Sequence, residues 1–325
     1  VAETSLEYAT VAALIDKHGS RARSVLAAQG WLDTSPELDG RWPMAELAAM
    51  VAGCAARSGS ELALGAQVAA GSALALAGRP VDGATKLAVL VGPRQVGGRV
   101  EARLWGPPDP EIVVGAVGDG LAVISGTALA VIPDPILPLR QVSVCAASAE
   151  LAAAEPLTVD GAAIARHEAV TAWMLAVEAF AAVSASVQRT VDYAGARRLF
   201  GSTLAAMQVV QHRLVDMHMV ELLGGAILAR CLSQWSAGIA PEAAHAAQTL
   251  AGERGLWAVE QAIQLHGAIG FTWELGLHRA LALAQRARLL RSTPPTIDHP
   301  LIRAARQRGF GDLTDWSVDF RTTAW

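Results

Sequence analysis

Lysine is almost missing from this 325-residue chain: only Lys17 and Lys86 occur, against abundant arginine. Aromatic residues make up 5% and charged residues 17% of the sequence, and the formal net charge is -4. Nucleic acid and anionic membrane surfaces need clustered cations, so neither is expected as a partner. Three cysteines, Cys54, Cys145 and Cys231, stand far apart with no Cys-x-x-Cys or Cys/His ligand spacing. That excludes a disulfide framework and a structural zinc site, and makes a reducing compartment the default. The most apolar stretch, Thr171 to Val187, is broken by Glu178 and falls short of the roughly 20 residues that cross a bilayer. The first residues lack the basic segment of a secretory signal. Walker, Gly-x-Ser-x-Gly and Rossmann fingerprints are missing too. A cytoplasmic protein is expected.

What is present divides by period into three blocks. From Glu3 to about Ala77, Leu6, Val11, Leu14 and Ile15 recur at helical spacing, as do Leu47, Met50, Val51 and Cys54. Gly40 closes the loop before the second of these helices, and Pro43 suits its first turn. From Leu87 to about Ala147, short Val- and Ile-rich runs (87–91, 112–117, 121–124, 128–132 and 141–145) are punctuated by Gly and Pro, which predicts an antiparallel β domain. Residues 99–105 alternate with period two, as a strand with one wet face does. From Thr158 onward the pattern is helical again. Thr158 or Asp160 can cap a helix reaching about Ala196, followed by helices at about 204–235, 241–266 and 274–290. The expectation is an α+β chain with a helical domain at 1–86, a small β domain at 87–150 and a helical bundle at 151–325.

Two segments of the last block carry a more specific pattern. One is Arg197-Arg198-Leu199-Phe200-Gly201, followed by Met207-Gln208. The other is Gln264-Leu265-His266-Gly267-Ala268-Ile269-Gly270-Phe271. Placed three apart on a helix, Arg197 and Phe200 would share a face, where a guanidinium can grip a pyrophosphate and a ring can lie against an adenine. Gly267 and Gly270, with Ala268 between them, would let backbone approach a phosphate closely, much as an anion binds at a helix terminus.

In content and order these segments resemble the Arg-x-x-Phe-Gly and Gln-x-x-Gly-Gly-x-Gly-(Phe/Tyr) elements of the acyl-CoA dehydrogenase family. Gln29-Gly30-Trp31-Leu32 is similar to that family's Gly-Trp segment. The resemblance is strongest from Val191 to Arg291. It implies an acyl-CoA dehydrogenase-like fold and FAD as cofactor. Arg197, Phe200, Gln208, Gln264, Leu265, Gly267, Ala268 and Gly270 would reach across a subunit interface to the adenine and pyrophosphate of a flavin held mainly by a neighbour.

The family's carboxylate base is not where the resemblance would put it. Its commoner position, a Glu before Gly-Thr, falls on Arg291, and a guanidinium cannot take a proton. The alternative position, on the earlier helix, falls on Thr171. Glu168, one turn away, is the remaining candidate for a base. Glu178 reads as a core-edge or interface group and Glu274 as structural. Nor does anything between Ala77 and Arg99 resemble the family's Thr-Glu-Pro segment, which meets the flavin ring.

The resemblance is therefore to the degenerate subunit of heteromeric, heterotetrameric actinobacterial acyl-CoA dehydrogenases of steroid side-chain degradation. It implies FAD shared with a second acyl-CoA dehydrogenase subunit that supplies the Glu, and an acyl-CoA substrate. Two alternatives stay open: a self-sufficient homo-oligomer using Glu168, and a cofactor-free assembly subunit. His212 with Asp216, and His218 with Glu221, have helical spacing. A di-iron site would need a second such helix and further carboxylates, so hydrogen-bonded surface pairs are expected there and no metal.

Overall fold

The computed structural model describes residues 6–18, 22–28, 32, 51–53, 55, 63–107, 109–132, 144–233 and 241–291. Helices α1 (Leu6–His18), α2 (Ala22–Ala28) and α3 (Leu64–Leu76) come first. Residues 51–53 are also helical, whereas Leu47, Met50, Cys54, Gly40, Pro43 and most of the Gly-Trp segment lie outside the described residues.

Seven strands follow: β1 (Leu87–Val96), β2 (Arg99–Trp105), β3 (Ile112–Val117), β4 (Gly120–Ser125), β5 (Ala130–Ile132), β6 (Val144–Glu150) and β7 (Glu155–Pro156). They form one sheet in the order β5-β6-β2-β1-β3-β4-β7. Pairing is antiparallel except between β1 and β3, which run parallel with Leu87 opposite Ile112 and Leu90 opposite Gly115. The β2 hairpin closes on β1 from its other side, so β3 enters only after a crossover. Side chains alternate as the pleat requires. Leu87, Val89, Val91, Trp105 and Val114 face the helices, while Ala88, Leu90, Leu104, Val113 and Ile124 form a second cluster on the opposite face.

Helix α4 (Ala162–Ala196) is the axis of the bundle. Every residue from Ala169 to Phe180 is buried, because α3, the sheet and four later elements pack around it. It starts after Gly161 with no side-chain cap, so neither Thr158 nor Asp160 caps it through its side chain. The Asp160 carbonyl accepts from the Ala163 amide instead. Ser186 and Thr190 turn their hydroxyls back to the carbonyls four residues earlier, which lets two polar side chains lie buried. By length and hydropathy α4 could cross a membrane, being longer than the apolar run inside it. It is a core helix, with 83% of its apolar window buried.

A short hairpin, β8 (Arg198–Leu199) with β9 (Ser202–Thr203), then leads into α5 (Gln208–Ser233). Helix α6 (Pro241–Leu250) runs through one π turn (Ala251–Gly255) into α7 (Leu256–His266). A 3-10 turn (Gly267–Phe271) precedes α8 (Leu277–Leu289).

One charge pair sits where these layers meet. Glu178 of α4 and Arg286 of α8 are 4% and 1% exposed and form an ion pair. The Gly65 amide of α3 donates to the other carboxylate oxygen at 3.1 Å, and the Arg286 guanidinium lies 5.5 Å from the centre of the Trp105 ring of β2. Burial pulls the Arg286 pKa down to about 9, and the carboxylate beside it keeps the guanidinium charged. Glu178 is thus a core ion-pair residue rather than an edge group. Replacing one member strands a buried charge, whereas replacing both does not. Glu178→Leu is expected to lower stability in urea unfolding by about 3–5 kcal/mol, and Glu178→Leu with Arg286→Met to recover most of that loss.

Candidate functional site

The Arg-x-x-Phe-Gly element does not continue α4. The helix ends at Ala196, and Arg197 is extended, with φ -70° and ψ 123°. Phe200 and Gly201 form the two-residue tip of the β8–β9 hairpin, with φ of 51° and 83°. Positive φ at both central residues is what a tight hairpin turn of this twist requires, and glycine meets it without strain whereas phenylalanine does not. Arg197 and Phe200 therefore do not share a helix face. The Arg198 guanidinium donates to the Gly201 carbonyl at 3.2 Å, and the Leu204 amide donates to the Arg197 carbonyl at 2.7 Å, closing the loop. The Phe200 ring is held out at 97% exposure. A bulky residue in left-handed backbone, presented almost wholly to solvent, marks a position kept for something other than packing.

The glycine element lies beside the base of this hairpin. Tyr193, one turn before Arg197, stacks on His266 with ring centroids 4.4 Å apart, and its hydroxyl donates to the His266 carbonyl at 3.3 Å. Arg213 of α5 donates to the Gln261 side chain of α7 at 2.7 Å. Together these contacts fasten the ends of α4, α5 and α7 to each other. Tyr193, His266 and Arg213 were not singled out, although His266 lies within the glycine element and Tyr193 one turn before Arg197.

The two glycines differ in what they do. Gly267 ends α7 with φ 66° and faces open space, so its backbone is approachable. Gly270 is buried, and a Cβ there would come within 2.4 Å of the Ile263 carbonyl oxygen, so it serves close packing rather than ligand approach. Gly267 also closes the C-terminal end of α7, where the helix dipole is negative. An anion there would have to be balanced by a side-chain cation, not by the helix terminus first expected. Gln208, Gln264 and Ala268 are exposed, while Leu265 is half-buried against the core.

The candidate base positions are elsewhere. Thr171 is buried, and among the described residues its hydroxyl has no hydrogen-bond partner. Glu168 is half-buried, and desolvation raises its carboxyl above the ordinary range. Twenty-eight helical residues separate Glu168 from Arg197, about 42 Å along the axis, which no single bound dinucleotide bridges. Arg291 pairs with Glu253 of the π turn at 3.1 Å. Glu274 is fully exposed, and its own backbone amide and the Thr272 hydroxyl hold its pKa low, so it braces the turn. The segment at 78–86 is a turn into β1, with the Ala84 amide donating to Asp82 at 2.7 Å. His218 meets Glu221 at 3.0 Å, and Ser184 of α4 donates to the same carboxylate. Among the described residues no three His, Cys, Asp or Glu side chains converge as a metal site. A cavity of about 250 Å³ lies between α4 and the Trp273–Gly276 segment, and its lining includes none of the motif residues.

Residues 161–291 match the family model for the acyl-CoA dehydrogenase C-terminal domain. That segment, less than half of the chain, is similar to the C-terminal domain of the acyl-CoA dehydrogenase family. Acyl-CoA dehydrogenase IpdE2 from Mycobacterium tuberculosis (strain ATCC 25618 / H37Rv) is 31% identical over 121 residues, 37% of this chain and 37% of that relative. The match thus spans little more than a third of the curated relative. Two solved structures share the fold over nearly the whole chain. The Tcur3481-Tcur3483 steroid ACAD G363A variant has a TM-score of 0.65 at 21% identity, covering 97% of this chain and 91% of its own. The FAD complex of PigA has a TM-score of 0.71 at 17% identity, covering 93% and 96%. The acyl-CoA dehydrogenase-like α+β architecture follows from these likenesses.

One buried group at the base-position end of α4 titrates in an accessible range. His167 is 2% exposed, and burial lowers its pKa to about 4, with a weaker opposing effect from the Ala69 backbone. A folded pKa below the unfolded value means the stabilisation is full above about pH 6.5 and is lost as pH falls toward 4. Stability is expected to drop by about 3 kcal/mol across that window. Urea titrations at several pH values should show a shallower slope for His167→Gln.

Proposed function

We propose that this chain is one subunit of a heteromeric FAD-dependent acyl-CoA dehydrogenase. It would complete the flavin site of an unlike partner that carries the catalytic Glu. The observation that carries the reading is a division along α4. The approachable motif groups stand exposed at one end, while the family's base positions hold Thr171 and an ion-paired Arg291.

The residues at the exposed end fit the adenine and pyrophosphate of a dinucleotide. Phe200 offers an uncovered ring face, Arg197 a guanidinium at the hairpin base, and Gly267 open backbone. Gln208 and Gln264 would supply amide hydrogen bonds, with Leu265, Ala268 and Gly270 shaping the turn beneath. When bound, FAD would accept the hydride that leaves the acyl β carbon. The α proton would go to the partner's carboxylate, giving the α,β-unsaturated thioester. In this chain Arg197 would neutralise diphosphate charge and Phe200 would cover one face of the adenine. A steroid side-chain CoA thioester is the substrate class this reading favours, supported by the steroid ACAD fold likeness. A heterotetramer and a cytoplasmic location belong to the same reading.

Glu168 supports a second reading, a self-sufficient homo-oligomer, because its raised pKa suits a base. A cofactor-free assembly subunit is the third. Flavin absorbance per chain separates them. No flavin on the chain alone, one per unlike pair after co-expression, and loss of that flavin with Arg197→Ala are expected. One flavin per chain alone would overturn the heteromer and send the test to Glu168→Gln turnover. Flavin content unchanged by Arg197→Ala would favour the assembly role.

A further inference from the structure

The seam between α4 and α8 is closed by charge at one point and left open by charge at another. The two helices run antiparallel, since Glu178 meets Arg286 while Arg189 meets the Leu275 carbonyl just before α8 begins. Seven residues, about two helical turns, return to the same face. On α4 that step leads from Glu178 to Ala185, and on α8 it leads back from Arg286 to Arg279. The first position pairs a carboxylate with a guanidinium, whereas the second offers a guanidinium and an alanine. Here lies the cavity of about 250 Å³, with Ala182, Ala185, Arg189, Trp273 and Arg279 in its lining.

Two cations thus border one small space. Arg189 donates to the Leu275 carbonyl at 2.6 Å, and among the described residues neither it nor Arg279 makes an ion pair. Glu274 also lines the cavity, but its carboxylate accepts from its own amide and from the Thr272 hydroxyl. Ser186 turns its hydroxyl back to the Ala182 carbonyl. The charges are felt by their neighbours. Burial lowers the pKa values of His266 and His278, and Arg189 lowers the first further, as Arg279 does the second. Two guanidiniums on one cavity repel each other, and an anion between them turns that repulsion into attraction.

The rest of the lining says which anion fits. A planar guanidinium matches the two oxygens of a carboxylate. Ala182, Ala185 and the Trp273 indole, which is 66% exposed and stands edge-on to His278 at 4.2 Å, offer apolar surface to the remainder of the molecule. The volume falls below the about 300–1,000 Å³ of drug-sized sites, which leaves no room for a dinucleotide or a CoA thioester. We propose that this cavity binds a small organic carboxylate, an aromatic or short-chain acid, at a site separate from the flavin motifs. The proposal depends neither on flavin nor on an unlike subunit.

Isothermal titration calorimetry of the full chain with benzoate, hexanoate and inorganic phosphate tests it. The two organic acids should bind at one site per chain with a Kd of about 1 mM or below, and phosphate at least about 10-fold more weakly. Arg279→Gln, at a side chain with no structural bond to lose, should weaken the acids by about 10-fold, and Arg189→Gln by as much or more. Ala185→Leu fills the space without touching a charge and should abolish binding. If Arg189→Gln unfolds the chain, the other two variants carry the test. No binding of either acid to wild type would overturn the proposal. So would affinities that Arg279→Gln and Ala185→Leu leave unchanged, or phosphate binding as tightly as the acids.

Discussion

The buried Glu178–Arg286 pair is the constraint on which the rest of this fold is arranged. Neither charge could enter an apolar interior alone, since the desolvation cost would be several kcal/mol per ion. Together, with the Gly65 amide on the carboxylate and the Trp105 ring under the guanidinium, they become compatible with it. The pair ties α3, α4, α8 and β2 in one place. An apolar contact at that point would tolerate sliding, whereas a charge pair with one good geometry does not. The register of α8 along α4 is therefore set, and with it the position of the turn that precedes α8.

A second consequence follows from the length of α4. Because it runs unbroken through 35 residues, it holds the His167–Thr171 end and the hairpin end rigidly apart. Under the proposed heteromeric reading, a chain built this way would present two half-sites, each completed from elsewhere. The hairpin end shows the signs: a phenylalanine in left-handed backbone with no contact to cover it, and a glycine turn whose backbone faces solvent. The other end has a buried hydroxyl and a neutral histidine where a base would be needed. Helix α5 leaves a different surface unfinished, an apolar row on the side away from α4.

Much of this was legible in the sequence because the signals are local. The period of two in 99–105, the Gly-punctuated runs and the helical spacing after Thr158 each depend on nearby residues. They were recovered as β2, β3, β4 and the long helices within a few positions. The Arg291 substitution could likewise be read by counting. The Phe-Gly hairpin tip was misjudged as helical. Arginine and leucine favour helix, and only the pairing of Arg198 with Thr203 turns the segment back.

The remaining features are relations between distant residues, which no window along the chain contains. Glu178 and Arg286 are 108 positions apart. The parallel pairing of β1 with β3 depends on where the β2 hairpin closes. Gly270 could be separated in role from Gly267 only once the Ile263 carbonyl was seen against it. What the sequence by itself determined was the elements and the motif chemistry, because backbone propensity and side-chain type are local properties. Only the tertiary structure decided which charges are buried together, which apolar faces stay uncovered and which motif groups stand open to solvent, because burial and close approach belong to the packed chain.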